Sequence, residues 1–366
     1  MHVAIDARLA DYRIGGIAHY TLQLARALAG LQAPERFTLL RTAWPKTPAE
    51  TVDGMAAARL LTPPHHPLEQ LSLPLELLRV RPDVLHSPDF IPPLRRSCRS
   101  VITVHDLGFL RYPDTLTAAS RRYYSQIGRA VRSADRIIAV SECTRNDLLQ
   151  FVQADPGKID VVFEAADPSF TPVESEAALA AARRRLGVER PYLLFVGSFE
   201  PRKNLVTLLE AFARVRRELD VQLALVGRRG WLYEPIFRRL AELGLESQVR
   251  VVDVIPNAEM PPVYSAAALL AFPSLYEGFG LPPLEAMACG CPVVASDRAS
   301  LPEVIGEAGL LVPALDVEAL AEAMLKVLSD AALRAQLVDR GLARAGRFSW
   351  RRAASESLAI YRRAAD

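Results

Sequence analysis

The chain has few cysteines, no excess of either charge and no long apolar run, and each shortage closes off a class of protein. There are four cysteines in 366 residues. Cys98, Cys143, Cys289 and Cys291 show no zinc-ligand spacing, and the Cys289-Gly290-Cys291 run is one residue short of a thioredoxin-like motif. They read as free thiols in a reducing compartment. The start, MHVAIDARLADYRIGG, has no apolar core behind a basic flank, so no secretory leader is expected. No stretch approaches the roughly 20 apolar residues that span a bilayer. A cytoplasmic protein is expected, one able to rest on the inner face of the cell membrane. The 44 basic residues nearly cancel the 42 acidic ones, leaving a formal charge of +2. Split at residue 170, the chain carries 20 basic against 18 acidic residues, then 24 against 24. A dedicated nucleic-acid binder would carry a basic excess, so clusters such as Arg183-Arg184-Arg185 read as solvated helix faces. No fixed-period repeat is visible either.

What is present is length and rhythm. Half of the residues are hydrophobic, and a chain this long divides naturally into two cores of roughly 150–200 residues. Short apolar strands alternate with helical periods, the pattern of parallel sheets covered by helices. In the first half the strands are residues 2–8, 37–41, 83–87, 100–106 and 136–141, with helices over 17–30 and 119–134. Ser141 is placed to cap the helix carrying ECTRNDLLQFV, and VVFEA is a last strand before a Pro- and acid-rich connection. In the second half strands fall at 192–198, 221–227, 249–255, 268–274, 291–297 and 309–314, and Asp316 caps the helix after the last. The expected fold is α/β, with two doubly wound Rossmann-like domains facing across a cleft. Their bounds are 1–170 and 171–347, and a terminal helix, 348–366, crosses back to the first.

In open α/β sheets ligands bind beyond the carboxyl ends of the strands, and four segments lie there. YEGFGLPPLEAMACG (276–290) places Glu277 on a loop and Glu285 about one turn into a helix starting near Leu281-Pro282. Gly278 and Gly280 let backbone approach a ligand, and free amides at a helix start attract phosphate. The two carboxylates suit separate hydroxyl-bearing parts of one ligand. They also suit a dipole-complementing side chain and a solvated loop residue. VGSFEPRKNLVTLLEAF (196–212) puts Arg202 and Lys203 at a helix start, where cations oppose the dipole unless a polyanion is bound. IDARLADYRIGGIAHYTLQL (5–24) offers Gly15-Gly16 before a helix, a weak signal alone. VITVHDLGFLRYPD (101–114) ends a strand at His105-Asp106, where a neutral imidazole can bond a sugar hydroxyl or simply be a satisfied core group.

These four segments, in this order, resemble retaining, nucleotide-sugar-dependent glycosyltransferases of the GT-B fold, family 4, over nearly the whole chain. The family's Glu-x7-Glu signature is Glu277–Glu285, its Gly-Gly loop Gly15-Gly16, its strand-end histidine His105, and its basic loop EPRKN. The resemblance implies that Arg202 and Lys203 stabilise a leaving diphosphate, Glu285 grips ribose hydroxyls and Glu277 bonds the donor sugar. It further implies that amides of Phe279, Gly280 and Leu281 meet sugar and phosphate, that Gly16 leaves room for the diphosphate, and that His105 holds the sugar's 6-hydroxyl. Backbone near Val254 would flank the base. Ser198 stands where many members carry arginine, so a phosphate contact is expected to be missing, with Arg202 compensating. No Asp-x-Asp-type motif is placed to bind a metal, and no cofactor is expected.

The implied reaction moves a hexose, mannose first and glucose second, from a nucleotide diphosphate sugar to a glycan or lipid-linked hydroxyl. GDP-mannose is the favoured donor and UDP-glucose the next. An epimerase or phosphorylase on the same architecture, or a non-catalytic sugar-nucleotide-binding subunit, is the alternative. Two segments, 68–81 and 117–132, combine apolar or tyrosine residues with arginines and are candidates for peripheral membrane contact; both equally fit ordinary packed helices.

Overall fold

The computed structural model describes residues 1–12, 15–46, 50–66, 68–112, 121 and 123–366. Its contacts divide the chain into two units: Met1–Glu164 together with Ser349–Asp366, and Ala165–Phe348.

The first unit is built on a parallel sheet of β1 (His2–Asp6), β2 (Arg36–Thr42), β3 (Ala56–Leu60), β4 (Val84–Ser87), β5 (Arg99–Val104), β6 (Arg136–Ala139) and β7 (Ile159–Val161). Their order, β3-β2-β1-β4-β5-β6-β7, reverses once, between β1 and β4. The central strands are apolar on both faces, with Val3, Ala4, Ile5, Val84, Leu85, Val101 and Ile102 all buried, as helix cover on both sides requires. Helix α1 (Gly16–Ala29) follows β1, and α2 (Glu69–Val80) precedes β4. Helix α3 (Glu142–Val152) begins at Ser141, whose Oγ accepts the Thr144 amide at 3.0 Å, the cap the sequence announced. β3 escapes sequence reading because Ala56-Ala57-Ala58 is a poor strand signal and its largely exposed residues occupy a sheet edge. Residues 119, 120 and 122 of the expected 119–134 helix lie outside the described residues. A helix is present over Ile127–Ser133.

In the second unit β8 (Tyr192–Val196), β9 (Gln222–Val226), β10 (Val249–Val252), β11 (Leu269–Phe272), β12 (Val293–Ser296) and β13 (Leu310–Val312) pair in parallel. Their order is β10-β9-β8-β11-β12-β13, reversing between β8 and β11. Helix α4 (Leu205–Glu218) follows β8, α5 (Leu281–Ala288) follows β11, and α6 (Val317–Ser329) starts at Asp316. The Asp316 carboxylate accepts the Ala319 amide at 2.9 Å, again as read from sequence.

The last helix, α7 (Trp350–Ala365), belongs to the first unit, packing on α1 and along β4, β5 and β6. Its Tyr361 hydroxyl shares a hydrogen bond of 2.8 Å with His86 Nδ1, while His86 Nε2 lies 2.8 Å from Thr103 Oγ1. Complete burial pushes His86 down to about 3, so the imidazole stays neutral and works as a linker between helix and sheet.

Candidate active site

Strand-order reversal sends the connections on either side to opposite faces of the sheet and opens a crevice beyond the strand ends. In the second unit the loops after β8 and β11 meet there, which is how residues 74 positions apart come into contact. Lys203 Nζ lies 2.7 Å from Glu277 Oε1, and Arg202 Nη1 lies 3.0 Å from Glu277 Oε2. Glu277 therefore is not the rim residue its loop suggested: it is 8% exposed and held between two cations. Burial works against its charge, but Lys203 and Arg202 outweigh burial and hold Glu277 below the ordinary carboxylate range. At Lys203 burial wins, with Arg202 adding to it against Glu277, and the ammonium lies below the usual lysine value. The chain has only four lysines among its 44 basic residues, and this one is buried with its ammonium 5.5 Å from the Phe272 ring centre.

Arg202 and Lys203, expected at a helix start, lie in a single 3-10 turn, Pro201–Lys203, immediately ahead of α4. Asn204 makes the junction with φ of 57°, a left-handed value that asparagine tolerates. Its amide nitrogen donates to Pro273 O at 3.1 Å and Ala314 O at 2.7 Å, tying the ends of β11 and β13 together. Arg202 is spent on similar bracing. Besides Glu277 it donates to Tyr276 O at 2.8 Å and to Glu200 Oε1 at 2.8 Å. The local cost of two cations before a helix is thus offset by Glu277 and Glu200 rather than left for a ligand alone. Arg202 would therefore have to share or exchange these protein acceptors to stand in for the arginine missing at Ser198. Glu200, 1% exposed, was passed over in the sequence although the EPRKN run displays it. Its other oxygen, Oε2, is buried without a hydrogen-bond partner among the described residues.

The loop from Glu277 to Gly280 is pinned from behind. Ser300 Oγ donates toward Glu277 O at 3.0 Å and Phe279 O at 2.6 Å. Gly280 has φ of 109°, which favours glycine, and begins α5 with no side-chain cap. Phe279 is buried edge-on to Phe348, ring centres 5.8 Å apart, and Leu281 is half-buried. Glu285 is half-buried in α5. Its Oε2 accepts the Tyr264 hydroxyl at 2.7 Å, and burial raises it to about 7 despite that bond. Gly197 and Gly227, at the ends of β8 and β9, approach so closely that a Cβ on Gly227 would lie 2.0 Å from Gly197 O. Ser198, beyond this pinch, is half-buried. Val254 is 58% exposed, and its amide is occupied by the Asp253 carboxylate at 2.7 Å.

In the first unit His105 follows β5. Its Nδ1 lies 2.8 Å from Glu164 Oε1 and its Nε2 lies 3.0 Å from Pro88 O. Both partners are acceptors, an arrangement that favours hydrogen on both ring nitrogens and so the imidazolium over the neutral ring. Burial alone would depress it, but the bond and charge of Glu164, with Asp89 and Asp106, hold it above the ordinary histidine value. Glu164, 5% exposed, was legible only as part of VVFEA. Gly15 and Gly16 are exposed at the start of α1. Gly15 has extended backbone at φ 176°, and a Cβ on either glycine would meet nothing within 4 Å among the described residues.

The comparisons fit this geometry. Residues 14–170 match the family model described as Glycosyltransferase Family 4, and residues 190–330 match the one described as Glycosyl transferases group 1. The chain is 33% identical over 283 residues to the O-antigen chain mannosyltransferase B of Escherichia coli, covering 76% of this chain and 74% of that one. Among solved structures, a sucrose-phosphate synthase from Thermosynechococcus elongatus superposes with a TM-score of 0.81 at 26% identity, over 99% of this chain and 98% of that one. Anabaena HepE, in complex with UDP and glucose, superposes with a TM-score of 0.76 at 20% identity, over 98% of each chain. Two parallel Rossmann-like sheets and these matches lead to one conclusion: the chain belongs to glycosyltransferase family 4 and has the GT-B fold.

Proposed function

We propose that the protein is a retaining transferase that moves a hexose from a nucleotide diphosphate sugar to a hydroxyl of a glycan or lipid-linked acceptor. Mannose from GDP-mannose is the favoured cargo, in line with the Escherichia coli relative's name. UDP-glucose comes second, in line with the UDP and glucose held by HepE. The observation that carries the reading is the Lys203–Glu277–Arg202 cluster at the strand reversal. Cleaving a glycosyl–phosphate bond builds negative charge on the diphosphate, and a cation already fixed in a buried site stabilises it without reorganisation. The uncapped amides of Gly280 and Leu281 add donors at the start of α5.

In this reading Lys203 meets the diphosphate, Glu277 and Phe279 orient the sugar, and Glu285 takes the ribose hydroxyls. Ser198, Gly197 and the Val254 backbone border the nucleotide. Gly15 and Gly16, exposed at the start of α1, admit the phosphates. His105, assigned to the sugar's 6-hydroxyl, would have to release the Pro88 carbonyl to reach it. Glu277 is a poor nucleophile while clamped by two cations, which favours attack on the same face, assisted by the leaving phosphate, over double displacement.

A panel of nucleotide sugars, scored for hydrolysis without acceptor and then for transfer with product anomers read by NMR, tests the proposal. GDP-mannose should be consumed fastest, the anomeric configuration retained, and activity should survive EDTA. An inverted product, or a protein that binds donors yet neither hydrolyses nor transfers them, overturns it.

A further inference from the structure

Helix α2 carries leucine on two faces. Leu73 and Leu77 are buried in a cluster with Ala4, Leu40, Leu60 and Leu85. Leu68, Leu71, Leu75 and Leu78, spaced three, four and three apart, form a second stripe whose exposures are 56%, 66%, 66% and 53%. Leu61, at 61%, extends it. Single exposed leucines are ordinary, whereas a contiguous stripe marks a contact surface. A groove of about 400 Å³ runs beside it, lined in part by Leu61, His66, Leu68, Leu75 and Arg79.

The charges around the stripe are one-sided. The acids of α2 are turned to internal work: Glu69 pairs with Arg8 at 2.5 Å, and Glu76 accepts the Leu61 and Thr62 amides at 2.6 and 3.0 Å. The exposed charges at the helix end are Arg79, Arg81 and Asp83, and the Asp83 carboxylate accepts the His2 amide at 2.6 Å. Arg79 also lines an adjoining groove with Arg36, Arg59 and Glu76. An isologous dimer would set this arginine-bordered face against itself. An anionic bilayer complements it, with apolar side chains entering the interface and guanidinium groups meeting headgroups.

We propose that the Leu68-Leu71-Leu75-Leu78 stripe of α2, bordered by Arg79 and Arg81, lies on the surface of a membrane bearing anionic lipid. The contact is interfacial. Among the described residues no helix is long and apolar enough to cross a bilayer. The proposal stands apart from the transferase reading, because its readout needs no turnover.

The test is flotation of the full chain with vesicles of phosphatidylcholine alone or mixed with phosphatidylglycerol, at low and high salt. Binding should favour the anionic vesicles and weaken with salt. The double variant Leu71→Ser/Leu75→Ser should lower the partition constant about tenfold or more. Arg79→Glu/Arg81→Glu should remove most of the preference for anionic lipid. All four residues are exposed, so melting temperatures should stay near wild type. Failure to float with anionic vesicles at low salt overturns the proposal, as does binding that survives the leucine changes. A concentration-dependent dimer dissolved by those changes also overturns it, since a second copy would then be the occupant.

Discussion

Each sheet reverses strand order once, beside β1 in the first unit and beside β8 in the second, and each reversal holds a buried cation. The surroundings differ. Arg8, 1% exposed, is saturated: Asp6 at 2.6 Å, Glu69 at 2.5 Å and Thr62 O at 2.9 Å take its donors from three sides. Lys203 is held by one carboxylate, which it shares with Arg202, next to a helix whose first amides lack a side-chain cap. A planar guanidinium with fixed donors suits a permanent joint, whereas a lysine's point charge can be redirected. The first reversal is a clamp between β1 and α2. The second holds its lysine by a single carboxylate, a pairing that fewer bonds fix in place.

Mutation can break that comparison. Arg8→Met leaves the Asp6 and Glu69 carboxylates facing each other without their cation, and should cost about 3–5 kcal/mol of stability, read by denaturant unfolding. The loss should be structural, with kcat per folded molecule little changed. Lys203→Ala should do the opposite. Donor turnover should fall about 10²- to 10³-fold, by analogy with a lost oxyanion donor, in steady-state assays of protein that still folds. If Arg8→Met abolishes turnover in fully folded protein, or Lys203→Ala keeps near wild-type turnover, the division between clamp and site fails.

A smaller effect sharpens the second region. Glu285 titrates near 7 in the fold against an ordinary 4.5. The folded state thus holds its proton more tightly, and the penalty for ionising it grows as pH rises. Glu285→Gln should therefore stabilise the protein progressively from about pH 5 to about pH 8 and then level off, while weakening donor binding most above pH 7, where the native residue is a carboxylate. Thermal melts and donor titrations across that range give both curves. The smallest effect is at His105. Its folded value is raised above 6.5, so its pairing with Glu164 contributes fully below that pH and is lost as pH climbs through the folded value. Glu164→Gln should lower the imidazole midpoint seen by NMR, and an unchanged midpoint would remove the imidazolium assignment.

Most strands were legible because parallel sheets buried on both faces leave apolar runs, and the reversal-point loops because glycine, proline and paired charges punctuate them; β7 was placed late, at VVFEA, whereas it spans Ile159–Val161. β3 was not legible, since its three alanines say little without their neighbour β2. Within the site, charge type was readable but partnership was not. Arg202 and Lys203 look equivalent in EPRKN, yet one braces two loops through Glu200 and Tyr276 O while the other, among the described residues, has Glu277 as its one side-chain hydrogen-bonding partner. Glu164 and His105 lie 59 positions apart, a separation no local pattern bridges, and only the proximity of β5 and the segment after β7 in the folded unit brings them to 2.8 Å.

The meeting of Gly197 and Gly227 carries a consequence for anyone redesigning the second sheet. With a carbonyl oxygen 2.0 Å from where the first side-chain carbon would go, no residue can be introduced at 227 without prising β8 and β9 apart. Redesign must begin elsewhere, at positions such as the half-buried Ser198 or the exposed Val254.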